Sequence, residues 1–188
     1  MAGNIPQIVC ETHADDAFLS MGQHLEDWHK QRIPTAIVTV FSGTRKRAVD
    51  AQKYADAVGA KWEGWGFVEG EPLPNDLSMY LQNSKISLFP FSESVEWYIN
   101  LALTHPEHKR VRELLEPAAA GMYVDQPYAI TQKNAPIVTE LMKGRTVLSY
   151  KHPGKRKYRH IPLFKDQSKF FYFNNEEKLL QTFEMIVQ

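Results

Sequence analysis

Two short runs of apolar and β-branched residues, separated by one amphipathic stretch, constrain this chain more than any other feature. Residues 8–12 (Ile-Val-Cys-Glu-Thr) form an apolar run that breaks into a polar cluster, which reads as a buried strand ending at a loop. Residues 35–41 (Thr-Ala-Ile-Val-Thr-Val-Phe) form a second run, and β-branched side chains suit a pleated, buried surface. Between them Phe18, Leu19, Gly22, Leu25 and Trp28 recur at helical spacing, so residues 16–31 are predicted to be an amphipathic helix. Pro34 then resets the chain, and Ser42-Gly43-Thr44 makes a turn. Residues 45–58 are helical by pattern, with Gly59 placed as a C-terminal cap. Residues 61–67 read as a third strand.

This β-α-β-α-β run implies an α/β fold: a Rossmann-like, mostly parallel sheet with helices on both faces. Further on, the apolar run 85–91 reads as a fourth strand. Residues 106–116 read as a helix, with Val111, Leu114 and Leu115 on one side and Pro117 stopping it. Residues 123–129 read as a loop. In the remainder, 158–164 and 170–173 read as strands and 176–187 as a final helix.

The length of 188 residues argues for a single domain over residues 1–188. With 43% hydrophobic and 23% charged residues, the chain has the composition of a globular protein. A single cysteine, Cys10, excludes an internal disulfide framework and a cysteine-based zinc cluster, and is expected to be a small buried hydrophobe. No apolar run approaches the roughly 20 residues of a transmembrane helix, and residues 1–7 lack the look of a secretory leader. A cytoplasmic setting is therefore expected, and the oligomeric state is left open.

Lys+Arg and Asp+Glu balance at 22 each, which excludes a uniformly basic protein and argues against a nucleic-acid partner. The balance is uneven. Residues 145–169 hold eight Lys/Arg and one acid, Asp166, so this segment carries +7 and the rest of the chain −7. Lys155, Arg156, Lys157 and Arg159 read either as a solvated basic loop or as a grip for a phosphate.

In open α/β sheets, ligands collect beyond the carboxyl ends of the strands. Loops 12–16, 42–47 and 90–108 are expected there. The first carries Thr12-His13-Ala14-Asp15-Asp16, an imidazole and two carboxylates close enough to form half of a metal site. Such donors suit zinc or ferrous iron better than magnesium or calcium. Alone, the cluster reads equally well as a capped helix start. The third loop carries His105-Pro106-Glu107-His108. Three protein ligands plus water is the usual catalytic zinc arrangement, although this cluster alone also reads as a polar helix start. Both lie on the same edge of one sheet, so they can meet.

The ordered motifs resemble the PIG-L/LmbE family of metal-dependent N-acetylglucosamine deacetylases. That family has a strand, then His-Pro-Asp-Asp-Glu and a helix with a glycine; here the place reads His13-Ala14-Asp15-Asp16-Ala17, with Gly22 following. Its next strand ends in a Thr/Ser-Gly turn, then Arg-x-x-Glu and Ala-x-x-Leu-Gly. This chain offers Ser42-Gly43, Arg47-Ala48-Val49-Asp50 and Ala55-Asp56-Ala57-Val58-Gly59. The family's His-Pro-Asp-His is matched by His105-Pro106-Glu107-His108, and a Tyr-x-Asp-x-Pro-Tyr segment by Tyr123 to Tyr128. The resemblance spans residues 8–129, and residues 130–188 match nothing specific.

The resemblance implies that His13, Asp16 and His108 bind the metal, zinc or alternatively ferrous iron, and that Asp15 is the general base. It implies that His105 stabilises the oxyanion or protonates the leaving amine, that Glu107 orients His105, and that Arg47 lies at the substrate rim. The implied substrate is a small-molecule amino-sugar conjugate, in one version phosphate-bearing. Three departures stand out: Ala17 and Asp50 replace family glutamates, and Glu107 replaces an aspartate. They point to a divergent subfamily with an altered substrate.

Among other residues, His24 and His29 read as solvated. Trp62, Trp65 and Phe67 read as packing, with stacking on a sugar as the alternative. Trp97 and Tyr98 read as packing or pocket lining. A non-catalytic sugar- or anion-binding protein that keeps the metal fold is the competing class of function. A metal-free nucleotide binder is disfavoured by the missing Gly-x-Gly-x-x-Gly after the first strand.

Overall fold

The computed structural model describes residues 4–124, 126, 135–151 and 184–188. Its strands are β1 (Gln7–Glu11), β2 (Thr35–Thr39), β3 (Lys61–Gly64), β4 (Glu96–Asn100), β5 (Gly121–Tyr123), β6 (Val147–Lys151) and β7 (Glu184–Val187). The helices are α1 (Asp16–Lys30), α2 (Arg45–Val58), α3 (Ser78–Leu88), α4 (Pro106–Leu115) and α5 (Ala135–Met142). The described strands form one sheet in the order β3-β2-β1-β4-β5-β7-β6. Strands β1 to β5 are parallel, and β7 and β6 join antiparallel at one edge. This is the expected mostly parallel α/β sheet.

Side-chain alternation divides the core between the two faces. Ile8, Cys10, Val38, Trp97 and Ile99 point to the face covered by Leu88 of α3 and Val111 and Leu115 of α4. Val9, Ile37 and Tyr123 point to the other, against Phe18, Met21 and Leu25 of α1 and Tyr54 and Val58 of α2. Each such side chain contributes about 1.5–3 kcal/mol on burial. Strand β1 is therefore buried on both faces, as the middle of a parallel sheet requires. Helix α2 has the expected bounds: the Thr44 side chain accepts the Arg47 N–H, and Gly59 closes the helix at φ 70°.

Four of the expected element and loop assignments are corrected. Residues 85–91 are not a strand, because Leu77, Leu81, Ser84 and Leu88 form a helical stripe at positions i, i+4, i+7 and i+11. Ser84 fits in that buried stripe because its hydroxyl accepts the Trp65 indole N–H at 2.9 Å and donates to Glu63. The fourth strand is instead β4, so residues 90–95 lie before it, and only the part of the third loop after Asn100 reaches the carboxyl edge. Tyr123, read as the start of a loop over 123–129, instead ends the short strand β5, which pairs with β4. Residues 184–187, assigned to a final helix, are strand β7, paired with β5 and β6.

His24 is not solvated. It is 1% exposed, with Nδ1 3.2 Å from Glu184 Oε2 and Nε2 2.9 Å from Ser149 Oγ. The β6–β7 pair covers that side of α1, which a helix read in isolation does not show. His29 is exposed as expected, and Cys10 is buried. Trp97 lies in the core, while Tyr98 packs on Trp28 and donates its hydroxyl hydrogen to Glu96, so both serve packing. The segments 158–164 and 170–173, and Lys155, Arg156, Lys157 and Arg159, lie outside the described residues. Among the described residues, no helix is long and apolar enough to cross a membrane.

Candidate metal centre and active site

Strand order runs outward in opposite directions from β1 and β4, so their carboxyl ends flank a crevice where connections diverge. The chain leaves β1 through Thr12 and His13 into α1, and leaves β4 through Leu101 to His105 into α4. Both histidine clusters therefore arrive at the same crevice.

The β1–α1 turn is closed by its own side chains. Asp16 Oδ2 accepts the His13 backbone N–H at 2.8 Å, and Asp16 N–H donates to His13 O at 3.1 Å. Asp15 occupies the N-cap position, but its side chain makes no capping bond. The β4–α4 turn is tight in a different way. Asn100 Oδ1 accepts the Ala102 N–H at 2.6 Å, and Ala102 adopts φ 59°, a left-handed conformation costing about 1–2 kcal/mol for a residue with a Cβ. Arg112 of α4 donates back to Leu101 O at 3.1 Å. Pro106 then starts the helix with its φ already suited to it, directly after His105.

These turns bring the donors together. His13 Nδ1 lies 2.9 Å from His108 Nε2, and Asp16 Oδ2 lies 3.3 Å from His108 Nε2 and 3.9 Å from His13 Nδ1. Two ligands about 2.0–2.1 Å from one tetrahedral zinc stand roughly 3.3–3.5 Å apart, so these three donors fit a single ion. His105 joins the same cluster: ligand atoms of His13, His105 and His108 all lie within 4.8 Å of one another. His13 and His108 are held by different means. His108 is 1% exposed, whereas the His13 ring stacks on Phe41 with centroids 5.6 Å apart.

Protonation states follow from the same burial. Desolvation, and then the neighbouring His108 ring, pull His13 down to about 4 against the opposing attraction of Glu107. At neutral pH the ring is therefore uncharged, the state in which imidazole binds metal. Burial pushes the Glu107 carboxyl up, but the Gly70 N–H and His13 outweigh it and hold Glu107 below the usual carboxylate range.

Glu107 Oε2 lies 2.8 Å from His13 Nε2 and 3.9 Å from His105 Nδ1, while Oε1 accepts the Gly70 N–H at 2.7 Å. The carboxylate thus stands nearer His13 than His105. A carboxylate on the far nitrogen of a metal-binding imidazole fixes its tautomer and ring plane. Arg47 enters from α2, with Nη1 3.8 Å from Asp15 and Nη2 2.8 Å from Glu69. Trp65 and Phe67 are half-buried against the Tyr80 ring, which is packing. Asp50, beyond Arg47 on α2, is also half-buried.

Sequence reasoning missed three groups here. Glu69 and Gly70 lie in the connection after β3, which begins at residue 65, earlier than a strand over 61–67 allows. Glu11 was hidden inside an apolar run; it is 1% exposed, and burial drives its carboxyl well above the usual range despite bonds from Thr39 and Ala17.

No protein-family model matches the chain, and no curated protein matches it. Solved structures do. A deacetylase in the biosynthesis pathway of teicoplanin aligns with TM-score 0.71 at 16% identity, over 97% of this chain and 98% of that one. The N,N'-diacetylchitobiose deacetylase from Pyrococcus horikoshii aligns with TM-score 0.52 at 13% identity, over 97% and 83%. GalB, the 4-carboxy-2-hydroxymuconate hydratase from Pseudomonas putida KT2440, aligns with TM-score 0.64 at 14% identity, over 93% and 82%. The chain has the fold of these proteins. At these identities the likeness establishes fold alone, and the presence of a hydratase shows that fold does not decide chemistry.

Proposed function

We propose that this chain is a metal-dependent deacetylase that removes the N-acetyl group of an N-acetylated amino sugar or its conjugate. One observation carries the reading: the His13, Asp16 and His108 donors lie within 3.9 Å of one another at the sheet's switch point, with a further carboxylate and imidazole beside them. The two deacetylases sharing the fold support the choice of reaction. The diacetylchitobiose enzyme also supports the choice of an amino sugar.

His13, Asp16 and His108 would hold the ion, zinc or ferrous iron. When bound, such an ion acidifies a water to a pKa of about 7 and polarises a carbonyl. Asp15 takes the proton of the attacking water, since it sits one residue before a ligand with a side chain that does not cap the helix. His105 meets the charge growing on the carbonyl oxygen or passes a proton to the departing amine. Glu107 orients the imidazoles, principally His13. Arg47, with Asp15 on one side and Glu69 on the other, sets the rim that receives the sugar. A cytoplasmic setting belongs to the same proposal, consistent with a single buried thiol.

The test measures bound transition metal per chain and acetate release from N-acetylglucosamine and diacetylchitobiose conjugates. About one ion per chain and stoichiometric acetate are expected. A metal-loaded protein that binds these sugars but releases no acetate would replace this reading with the non-catalytic one. Acetate as the readout also separates deacetylation from hydration, which the fold supports in another protein.

A further inference from the structure

Strand β1 contains a single acidic residue, Glu11, at its last position. Its side chain is 1% exposed, between two apolar layers. A strand needing only burial would carry valine or isoleucine there, because burying an unpartnered carboxyl is unfavourable. Glu11 is held by bonds that converge on its two oxygens from both sides. The Trp62 indole N–H donates to Thr39 Oγ1 at 2.9 Å. The Thr39 hydroxyl donates to Glu11 Oε1 at 2.6 Å, and the two residues stand opposite each other in the β1–β2 register. Glu11 Oε2 then accepts the Ala17 backbone N–H at 3.0 Å.

The far end of this row of bonds gives it meaning. Ala17 is in the first turn of α1, where backbone N–H groups lack intrahelical partners and the helix dipole favours an acidic group. Position 17 itself carries only a methyl, wholly buried. The carboxyl therefore reaches the helix start from the strand beneath. The residue joined to Ala17 is Asp16, whose Oδ2 receives the His13 N–H and faces His108 at 3.3 Å. Three adjacent strands and the donor turn are thus tied by one row of hydrogen bonds.

We propose that Glu11 is a positioning residue of the metal centre: through Ala17 it fixes the first turn of α1, so that Asp15 and Asp16 face the site in one orientation, and Trp62 and Thr39 fix Glu11 in turn. The inference rests on the metal-site reading above. It gives Glu11 no contact with the ion or substrate. Its effect on the site is felt through the direction of the Asp16 carboxylate, and such supporting contacts typically change metal affinity about 10–100-fold.

The experiment uses the full chain, with cobalt(II) affinity and visible spectrum, zinc affinity by chelator competition, and melting of the metal-free protein. Glu11→Gln keeps the shape but supplies one acceptor where two are used. It is expected to melt cooperatively, to bind either ion about 10–100-fold more weakly and to shift the cobalt bands. Thr39→Val breaks the next link and is expected to weaken binding in the same direction. The double variant should be no weaker than Glu11→Gln alone, since both act on one chain of bonds. Undiminished affinity with unshifted bands in Glu11→Gln overturns the proposal. If Glu11→Gln does not fold, Thr39→Val decides by the same criterion. Wild-type protein that takes up no transition metal overturns the metal-site reading and this inference together, whereas normal wild-type binding with an indifferent Glu11→Gln overturns this inference alone.

Discussion

At the scale of single residues, the proposed reaction divides two tasks between the adjacent carboxylates of Asp15 and Asp16. Asp16 is committed: it accepts the His13 N–H and faces His108. Asp15 lies at the rim, with Arg47 Nη1 3.8 Å from its Oδ1. Asp15→Asn is therefore expected to lower kcat by about 10²–10⁴-fold with metal content unchanged, checked by acetate-release kinetics beside elemental analysis. Loss of metal in that variant would make Asp15 a ligand. Glu107→Gln should act differently, weakening metal binding about 10–100-fold by loosening the His13 ring, as read by chelator competition. His13, Asp15, Asp16, His105, Glu107 and His108 were legible in the sequence because each cluster is compressed into four or five residues at a strand-to-helix turn. Glu11 was not. Its partners lie at positions 17 and 39, and inside an apolar run one acid has no periodicity to announce it.

At the scale of elements, legibility followed how locally an element is determined. Helix α2 was readable to its end because both caps are its own: the Thr44 side chain at one end and Gly59 at φ 70° at the other. Gly59→Ala should cost about 1–2 kcal/mol from the left-handed backbone alone. A Cβ there would also come within 2.2 Å of His29 Nδ1, forcing that ring to turn away. Thermal melting should show a fall of about 2–8 °C for a domain of this size. Helix α3 was misread because Ile86, Leu88 and Phe89 look like a strand when Ser84 is counted as polar, and only Trp65 and Glu63 explain why a serine can be buried there. The β6–β7 edge was unreadable for a further reason, since its pairing is antiparallel and non-local. That edge is tied to α1 by Lys151, which donates to Asp27. Burial raises the Asp27 carboxyl, but bonds from Lys151 and Gln23 outweigh it and hold the group below its usual range. A depressed folded value means the contribution is complete above the unfolded pKa of about 3.9 and is lost as pH falls through the folded value. Asp27→Asn should cost about 0.2–1 kcal/mol at pH 7. Denaturant titrations of both proteins should converge as pH falls below about 4.

At the scale of the whole molecule, the two halves of the candidate site belong to turns far apart in sequence and joined only through the sheet. His13 and Asp16 ride on the β1–α1 turn, His105 and His108 on the β4–α4 turn, and β1 pairs directly with β4. An ion bound by both turns therefore crosslinks helices on opposite faces of the sheet, because α1 packs on one core layer and α4 on the other. Unfolding must break that link, so metal binding and global stability are coupled. An ion at about 1,000 times its Kd should add about 4 kcal/mol to unfolding. At roughly 2–4 °C per kcal/mol for a domain of this size, the melting temperature should rise by about 8–16 °C on adding zinc and fall back with excess chelator. His108→Ala removes the donor that faces both His13 and Asp16, so its melting temperature should no longer rise on adding zinc. A wild-type protein whose melting is indifferent to zinc and chelator would mean that the two turns meet without sharing an ion. The crosslink also predicts where the response is felt. Hydrogen exchange should slow in the first turns of both α1 and α4 on adding metal, and protection confined to one of them would place the ion on that turn alone.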